Sequence, residues 1–305
     1  MNNSISRRRF LSLSALVGAG APFISAGDLF AASAFKSSIT FGYSAITWGG
    51  KDDIAIREIS QLGFKGIQLR ANAYQTYGTK VDELKKLLKD ARLELAMFSS
   101  GNANPSATGD DEKTINEHLT HARFVKELGG KFLQITNSAR PKTGAPSEDE
   151  LKRYGQLLTT IGKRTKEIGV TVAYHNHMSQ LGETPEEVDI ILANADPAYV
   201  SLLLDVAHYK QGGGDPAAAV RKYANRIKAL HIKDVKDVPD SPGKYLFVEL
   251  GQGRVDFPAL FKALDDINFK GYAVVELDGV PDKAKTPLEC ATISKKYLQS
   301  LRFNV

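Results

Sequence analysis

The residues predict an α/β fold: a single (β/α)8 barrel over residues 35–305, preceded by a cleavable export signal over 1–34. Three observations lead there. Eight short apolar runs recur along the chain, amphipathic stretches lie between them, and no linker-like segment interrupts them from about residue 38 onward. Eight strand–helix units in one domain of roughly 250 residues is the make-up of such a barrel. A doubly wound open sheet would meet the same count, but no Gly-rich phosphate turn follows the first strand.

The first 34 residues stand apart. Ser6-Arg7-Arg8-Arg9-Phe10-Leu11 precedes an apolar, small-residue stretch from Leu11 to Ala26, and Ala32-Ser33-Ala34 fits a small-x-small cleavage site. A basic region, a short apolar region and small residues at a cleavage site describe an export signal. The Ser-Arg-Arg-x-Phe-Leu order is similar to the twin-arginine signal of proteins exported already folded, which implies a periplasmic or otherwise exported protein. The stretch is too short and too Gly/Ala-rich for a good membrane span.

Removing it takes away Arg7, Arg8, Arg9 and Asp28, so a formal charge of +5 becomes +3. No basic run with interleaved aromatics remains, which argues against a nucleic-acid partner. The single cysteine, Cys290, excludes an intramolecular disulfide and a thiolate zinc site. With 42% hydrophobic and 25% charged residues, the rest is an ordinary globular chain with a sizeable core.

The eight apolar runs are 39–46, 66–70, 93–99, 131–136, 170–177, 199–206, 227–232 and 272–277. Each is continuously apolar rather than alternating, as strands buried on both faces are in a parallel sheet. Helical periodicity covers 52–63, 81–91, 115–130, 147–169 and 288–301. Gly63, Gly129 and Gly169 supply left-handed stops. Thr184-Pro185-Glu186-Glu187 and Asp215-Pro216 read as helix starts with proline in the first turn.

An active site in this fold is built at the C-terminal ends of the strands. There the sequence places His175 and His177 on strand 5, and Asp205 with His208 on strand 6. Strand 7 carries His231, Lys233 and Asp234, and strand 8 ends in Glu276 and Asp278. Two residues apart on a strand, His175 and His177 share a face. Charged groups closing Leu/Val-rich strands need partners or a cation. Mixed imidazole and carboxylate donors without thiolate suit Mn2+, Co2+, Zn2+ or Mg2+. His118 and His121, in the third helix, are expected to face solvent.

The phrases LLLDVAHYKQGGGDP, KYANRIKALHIKDVK, LGQGRVDF and YAVVELD, from Leu202 to Asp278, resemble the xylose-isomerase-like barrels of sugar isomerases, epimerases and inosose dehydratase. The likeness runs from about residue 39 to 301 and is nearest to inosose dehydratase, through YH-x-HM, LLLD-x-x-H, GGDP and H-x-KD. In that family a strand-5 Glu, a strand-6 Asp, a strand-7 His and a strand-8 Glu hold a divalent metal, which carries over to Asp205, His231 and Glu276. Strand 5 departs: it offers His175, or Tyr174 if the register slips by one. His175 either ligates as a neutral imidazole or binds substrate, with a water or Glu183 completing the shell.

The resemblance implies further roles. His177 is free for proton transfer, and Glu276 is the carboxylate that remains of the epimerases' two. His208 matches a histidine that contacts a substrate oxygen. Lys233 either holds a developing enolate or forms a salt bridge with Asp234. Trp48 is a flat wall for a sugar ring or a packing residue, and Gln68 stands where relatives often have an acid. The implied activity is a metal-dependent isomerase or epimerase that removes a proton next to a carbonyl on a non-phosphorylated sugar or keto-sugar. One alternative is a β-eliminating lyase on a keto-sugar, keto-cyclitol or 3-keto-glycoside, toward which a histidine base tilts the chemistry. Another is a non-catalytic sugar-binding barrel. The expected partner is a small carbohydrate, with no nucleic acid and, once the signal is removed, no membrane; a homo-oligomer is compatible with all of this.

Overall fold

The computed structural model of the protein describes residues 37–137 and 140–305, so the expected export signal lies outside the described residues. The strands are β1 (Ser38–Ser44), β2 (Gly66–Arg70), β3 (Glu94–Asn102), β4 (Phe132–Thr136), β5 (Thr171–His175), β6 (Val200–Asp205) and β7 (Ile227–Ile232). A short hairpin of β8 (Asp234–Asp237) and β9 (Tyr245–Val248) follows, then β10 (Lys270–Val275). Every strand but the hairpin pair joins one closed parallel barrel, in the order β1-β10-β7-β6-β5-β4-β3-β2. All eight apolar runs therefore become barrel strands.

Helices wrap the barrel: α1 (Asp52–Gln61), α2 (Ala71–Tyr77), α3 (Val81–Asp90), α4 (Glu112–Glu127) and α5 (Glu148–Ile168), then α6 (Pro185–Ala193), α7 (Val206–Gln211), α8 (Pro216–Lys222), α9 (Phe257–Asp266) and α10 (Pro287–Ser300). Local chemistry sets their ends. The Ser147 hydroxyl and the Glu150 carboxylate form a capping box at the start of α5, and Gly169, at φ 91°, closes it in the left-handed region. Thr184 and Asp215 cap α6 and α8 ahead of their prolines. None of the helices among the described residues is long and apolar enough to cross a membrane.

The strand period of two positions the site. Met97, Ala173, Leu203 and Ala229 form an apolar layer inside the barrel, with Phe132 and Tyr272 packed against it. Two residues further along β4, β5, β6 and β7 come Gln134, His175, Asp205 and His231, all buried. The apolar layer is thus the floor of a polar one at the C-terminal end. Alternation also settles strand 5: Tyr174 points outward against Tyr154 of α5, at 5.7 Å between ring centroids, and His175 points inward.

Two expectations are corrected. His118 and His121 do not face solvent; they are 1% and 5% exposed, each with its Nδ1 on the Ser100 hydroxyl of β3 at 2.6 and 2.8 Å. His118 lies on the stripe formed by Ile115, Leu119, Ala122 and Val125, the face α4 buries. Burial pushes its pKa down to about 4, helped by the neighbouring His121. Nor does Lys233 pair with Asp234. The Asp234 carboxylate instead accepts the backbone N–H groups of Val235, Gly251, Gly253 and Val255 at 2.8–3.1 Å, pinning the Gly251–Val255 return of the hairpin.

Candidate metal centre

Four buried side chains from adjacent strand ends converge: His175, Asp205, His231 and Glu276, with one donor atom from each lying within 4.8 Å of the others. His231 Nδ1 is 2.8 Å from Glu276 Oε2, 3.2 Å from His175 Nε2 and 3.6 Å from Asp205 Oδ2. His175 Nε2 is 3.4 Å from Asp205 Oδ2.

Each donor is aimed by a partner behind it. Asp205 caps α7, its Oδ1 accepting the N–H groups of Ala207 and His208, which leaves Oδ2 facing the group. Its backbone is gripped in turn by the Asn176 amide. Glu276 Oε1 accepts from Ser44 Oγ and Gln68 Nε2 at 3.4 and 3.3 Å, leaving Oε2 inward. Gln68 Oε1 accepts from His231 Nε2 at 2.6 Å, which directs the His231 Nδ1 lone pair into the group.

His175 has its Nδ1 2.9 Å from Gln134 Nε2, while Gln134 Oε1 is buried without a hydrogen bond. Turning that amide over lets the orphaned Oε1 accept an Nδ1–H and frees Nε2 to ligate, the arrangement a cation requires. Two imidazole nitrogens and two carboxylate oxygens, closed in from behind, fit a divalent cation.

Lys233 adds an unusual charge. Fully buried, its Nζ lies 2.9 Å from Asp278 Oδ1, 3.0 Å from Glu276 Oε2, 3.4 Å from Asp205 Oδ2 and 3.2 Å from His208 Nε2. Burial opposes the ammonium, but the three carboxylates outweigh it and raise its pKa above the usual lysine value. Burial likewise disfavours the Asp205 and Glu276 carboxylates, yet nearby cations hold both well below the usual range: Lys233 beside Asp205, His231 and Lys233 beside Glu276. For His231, burial is again overcome, here by Glu276 and Asp205, and the pKa rises to about 9. His175 goes the other way, since burial depresses it to about 4 despite Asp205.

The remaining predicted residues divide. His177, past the end of β5, packs its ring 3.8 Å from that of His208 and 5.7 Å from His175, with Nδ1 donating to the Met178 carbonyl at 2.6 Å. His208 accepts the Met178 N–H at Nδ1. Glu183 stands outside the four-donor group, taken up by the Ser179 N–H and by Arg140 Nε at 3.4 Å. Trp48 is not a sugar wall. It is 5% exposed, set edge-on to Tyr43 and donating its indole N–H to Glu58, so packing is its role. Sequence reasoning passed over Gln134, Ser44 and Asn176, neutral residues that hold donors in place. Gln134 was findable: it stands two residues after Phe132, which packs on the apolar layer, as His175 stands two after Ala173.

The sequence profile of the xylose isomerase-like TIM barrel matches residues 56–296. An inosose dehydratase of Clostridium tetani is 31% identical over 297 residues, covering 87% of this chain and 97% of the relative. A sugar phosphate isomerase/epimerase from Parabacteroides distasonis has a solved structure at TM-score 0.66 and 26% identity, covering 88% of this chain and 95% of that one. The crystal structure of the IOLI protein with a binding zinc atom superposes at TM-score 0.74 and 20% identity, over 88% and 100%.

Proposed function

The chain belongs to the xylose isomerase-like TIM-barrel family, and from that premise we propose that it is a divalent-metal-dependent carbon–oxygen lyase eliminating a β-substituent from a non-phosphorylated keto-sugar or keto-cyclitol. The relatives named inosose dehydratase support this reading. One observation carries it: the proton-handling groups are one-sided. An epimerase needs two bases on opposite faces of the reacting carbon. Glu276 is a poor base here, since its Oε2 belongs to the four-donor group and lies 3.0 Å from the Lys233 ammonium. The His177–His208 stack, on the β5–β6 side, is the other candidate.

His175, Asp205, His231 and Glu276 would hold the ion. A divalent cation there, Mn2+, Co2+, Zn2+ or Mg2+, supplies Lewis-acid polarisation of the substrate carbonyl. His177 donates its Nδ1–H to Met178, so its Nε2 carries the lone pair that takes the proton from the carbon beside the carbonyl. The Lys233 ammonium stabilises the negative charge that develops on oxygen. As the β carbon–oxygen bond breaks, the Nε2 proton passes to the departing oxygen, and the substrate is left as an unsaturated ketone. His208, fixed by the Met178 N–H at its Nδ1, holds the His177 ring in place. The twin-arginine-like leader supports an exported enzyme, where free rather than phosphorylated sugars are the available substrates.

The test uses signal-free protein loaded with Mn2+ or Co2+, in D2O, against ketoses, inososes and 3-keto-glycosides, followed by NMR. Metal-dependent deuterium exchange with an unsaturated ketone as product is expected. An isomer or epimer as product would move the assignment to an isomerase, and tight binding without exchange would leave a sugar-binding barrel.

A further inference from the structure

The β8–β9 hairpin projects from β7, between His231 and the Gly251–Val255 return, and its two faces differ. Leu246, 46% exposed, points away. Tyr245 and Phe247, two residues apart, share the other face with their cross-strand neighbours Asp237 and Val235. That face adjoins the centre. The Phe247 ring lies 4.7 Å from Lys233 Nζ and 4.8 Å, edge-on, from the ring of His208. Tyr245 follows at 5.5 Å from Phe247, within electrostatic reach of Glu183 after β5 and Asp278 after β10. Both rings are only half-buried, so each keeps open surface. Beside Tyr245, the exposed Asp237 carboxylate pairs with Arg254 Nε at 3.3 Å, offering polar partners at the edge of an aromatic ring.

An aromatic face flanked by hydrogen-bonding charges suits a sugar ring, whose C–H face is apolar and whose rim is hydroxylated. Phe247 stands next to the acid/base groups and Tyr245 one ring further out. We infer that the hairpin forms a two-ring carbohydrate subsite, Phe247 against the reacting ring and Tyr245 against a second, glycosidically linked ring. The substrate is then a keto-glycoside, and the departing β-substituent is its aglycone. This rests on the lyase reading above and narrows its substrate class.

The experiment is calorimetry on the full mature chain, Mn2+-loaded and carrying His177→Asn to prevent turnover. The probes are a keto-glycoside with a methyl aglycone and the same keto-sugar linked to a second glucose. The two-ring probe is expected to bind on the order of tenfold more tightly. Tyr245→Ala abolishes that preference, Tyr245→Phe keeps it, and Phe247→Ala weakens both probes. Leu246→Ser, on the opposite face, keeps it too. A preference that survives Tyr245→Ala, or that Leu246→Ser removes equally, overturns the subsite while leaving the lyase assignment standing. Binding of neither probe to the loaded protein overturns the keto-glycoside substrate and the subsite together, while the deuterium-exchange assay on inososes decides the lyase assignment separately.

Discussion

Replacing Lys233 with methionine separates two jobs of its ammonium. Nζ is 3.0 Å from Glu276 Oε2 and 3.4 Å from Asp205 Oδ2, oxygens that also face the four-donor group. With coordination bonds of about 2 Å, a divalent ion on the Glu276 oxygen stands no more than about 5 Å from the ammonium. At an effective dielectric of about 20 to 80, the repulsion between +1 and +2 at that separation is about 7 to 2 kcal/mol. Taking the screened end, Lys233→Met tightens Mn2+ binding on the order of tenfold in calorimetry. Without metal, the same substitution leaves two buried carboxylates less compensated and costs about 3–5 kcal/mol in urea unfolding with EDTA present. Turnover falls roughly 100- to 1,000-fold, because the group aimed at the developing oxyanion is gone. The expected signature is a protein that holds metal better and works worse. Mn2+ affinity that is unchanged or weaker would refute the view that ammonium and metal share these oxygens.

The other predictions test separate parts. His177→Asn should lower turnover by about 100- to 10,000-fold and abolish deuterium exchange, with Mn2+ affinity unchanged; persistent exchange removes His177 from the base role. Gln68→Leu and Gln134→Leu should each weaken Mn2+ binding by about 10- to 100-fold, since each orients a ligating imidazole; wild-type affinity in both would show that the donors are held otherwise. Acid should destabilise the fold through His118. Between its ordinary value of 6.5 and about 4, the unfolded chain takes up a proton that the folded chain refuses. Stability present above pH 6.5 is therefore lost as pH falls, by about 3 kcal/mol from this group. Urea midpoints from pH 7.5 to 4.5 should show a shallower slope for His118→Asn, and an equal slope would sink the assignment.

The barrel was legible because parallel strands buried on both faces must be apolar throughout, and residues such as Leu202–Leu204 have no polar alternate. The converging strand-end residues were legible because charges that end such runs need a reason. The hairpin was not. Asp234–Asp237 has three charged residues among its four, and Tyr245–Val248, though apolar, is only four residues long, shorter than any barrel strand. Only the Pro239–Gly243 turn chemistry between them hinted at a reversal. Trp48 stayed open between two roles because an aromatic just past a strand end has two directions available to it, barrel mouth or helix layer, and spacing does not choose. His118 was misjudged through its chemistry, although its place on the α4 stripe was already apolar.

Asp205 does two things at once, and that limits what can replace it. One oxygen faces the four-donor group while the other starts the helix that carries His208. A longer or bulkier residue would release that helix and move the histidine, whatever it did for the ion. His175 starts no helix; a loop follows it until Thr184. Strand 5 can therefore exchange one donor for another, and with it the charge offered to the substrate, without disturbing the backbone. The barrel has one ligand position open to chemical experiment and one locked by architecture, which is a physical route by which a shared scaffold could pass from moving protons to expelling groups.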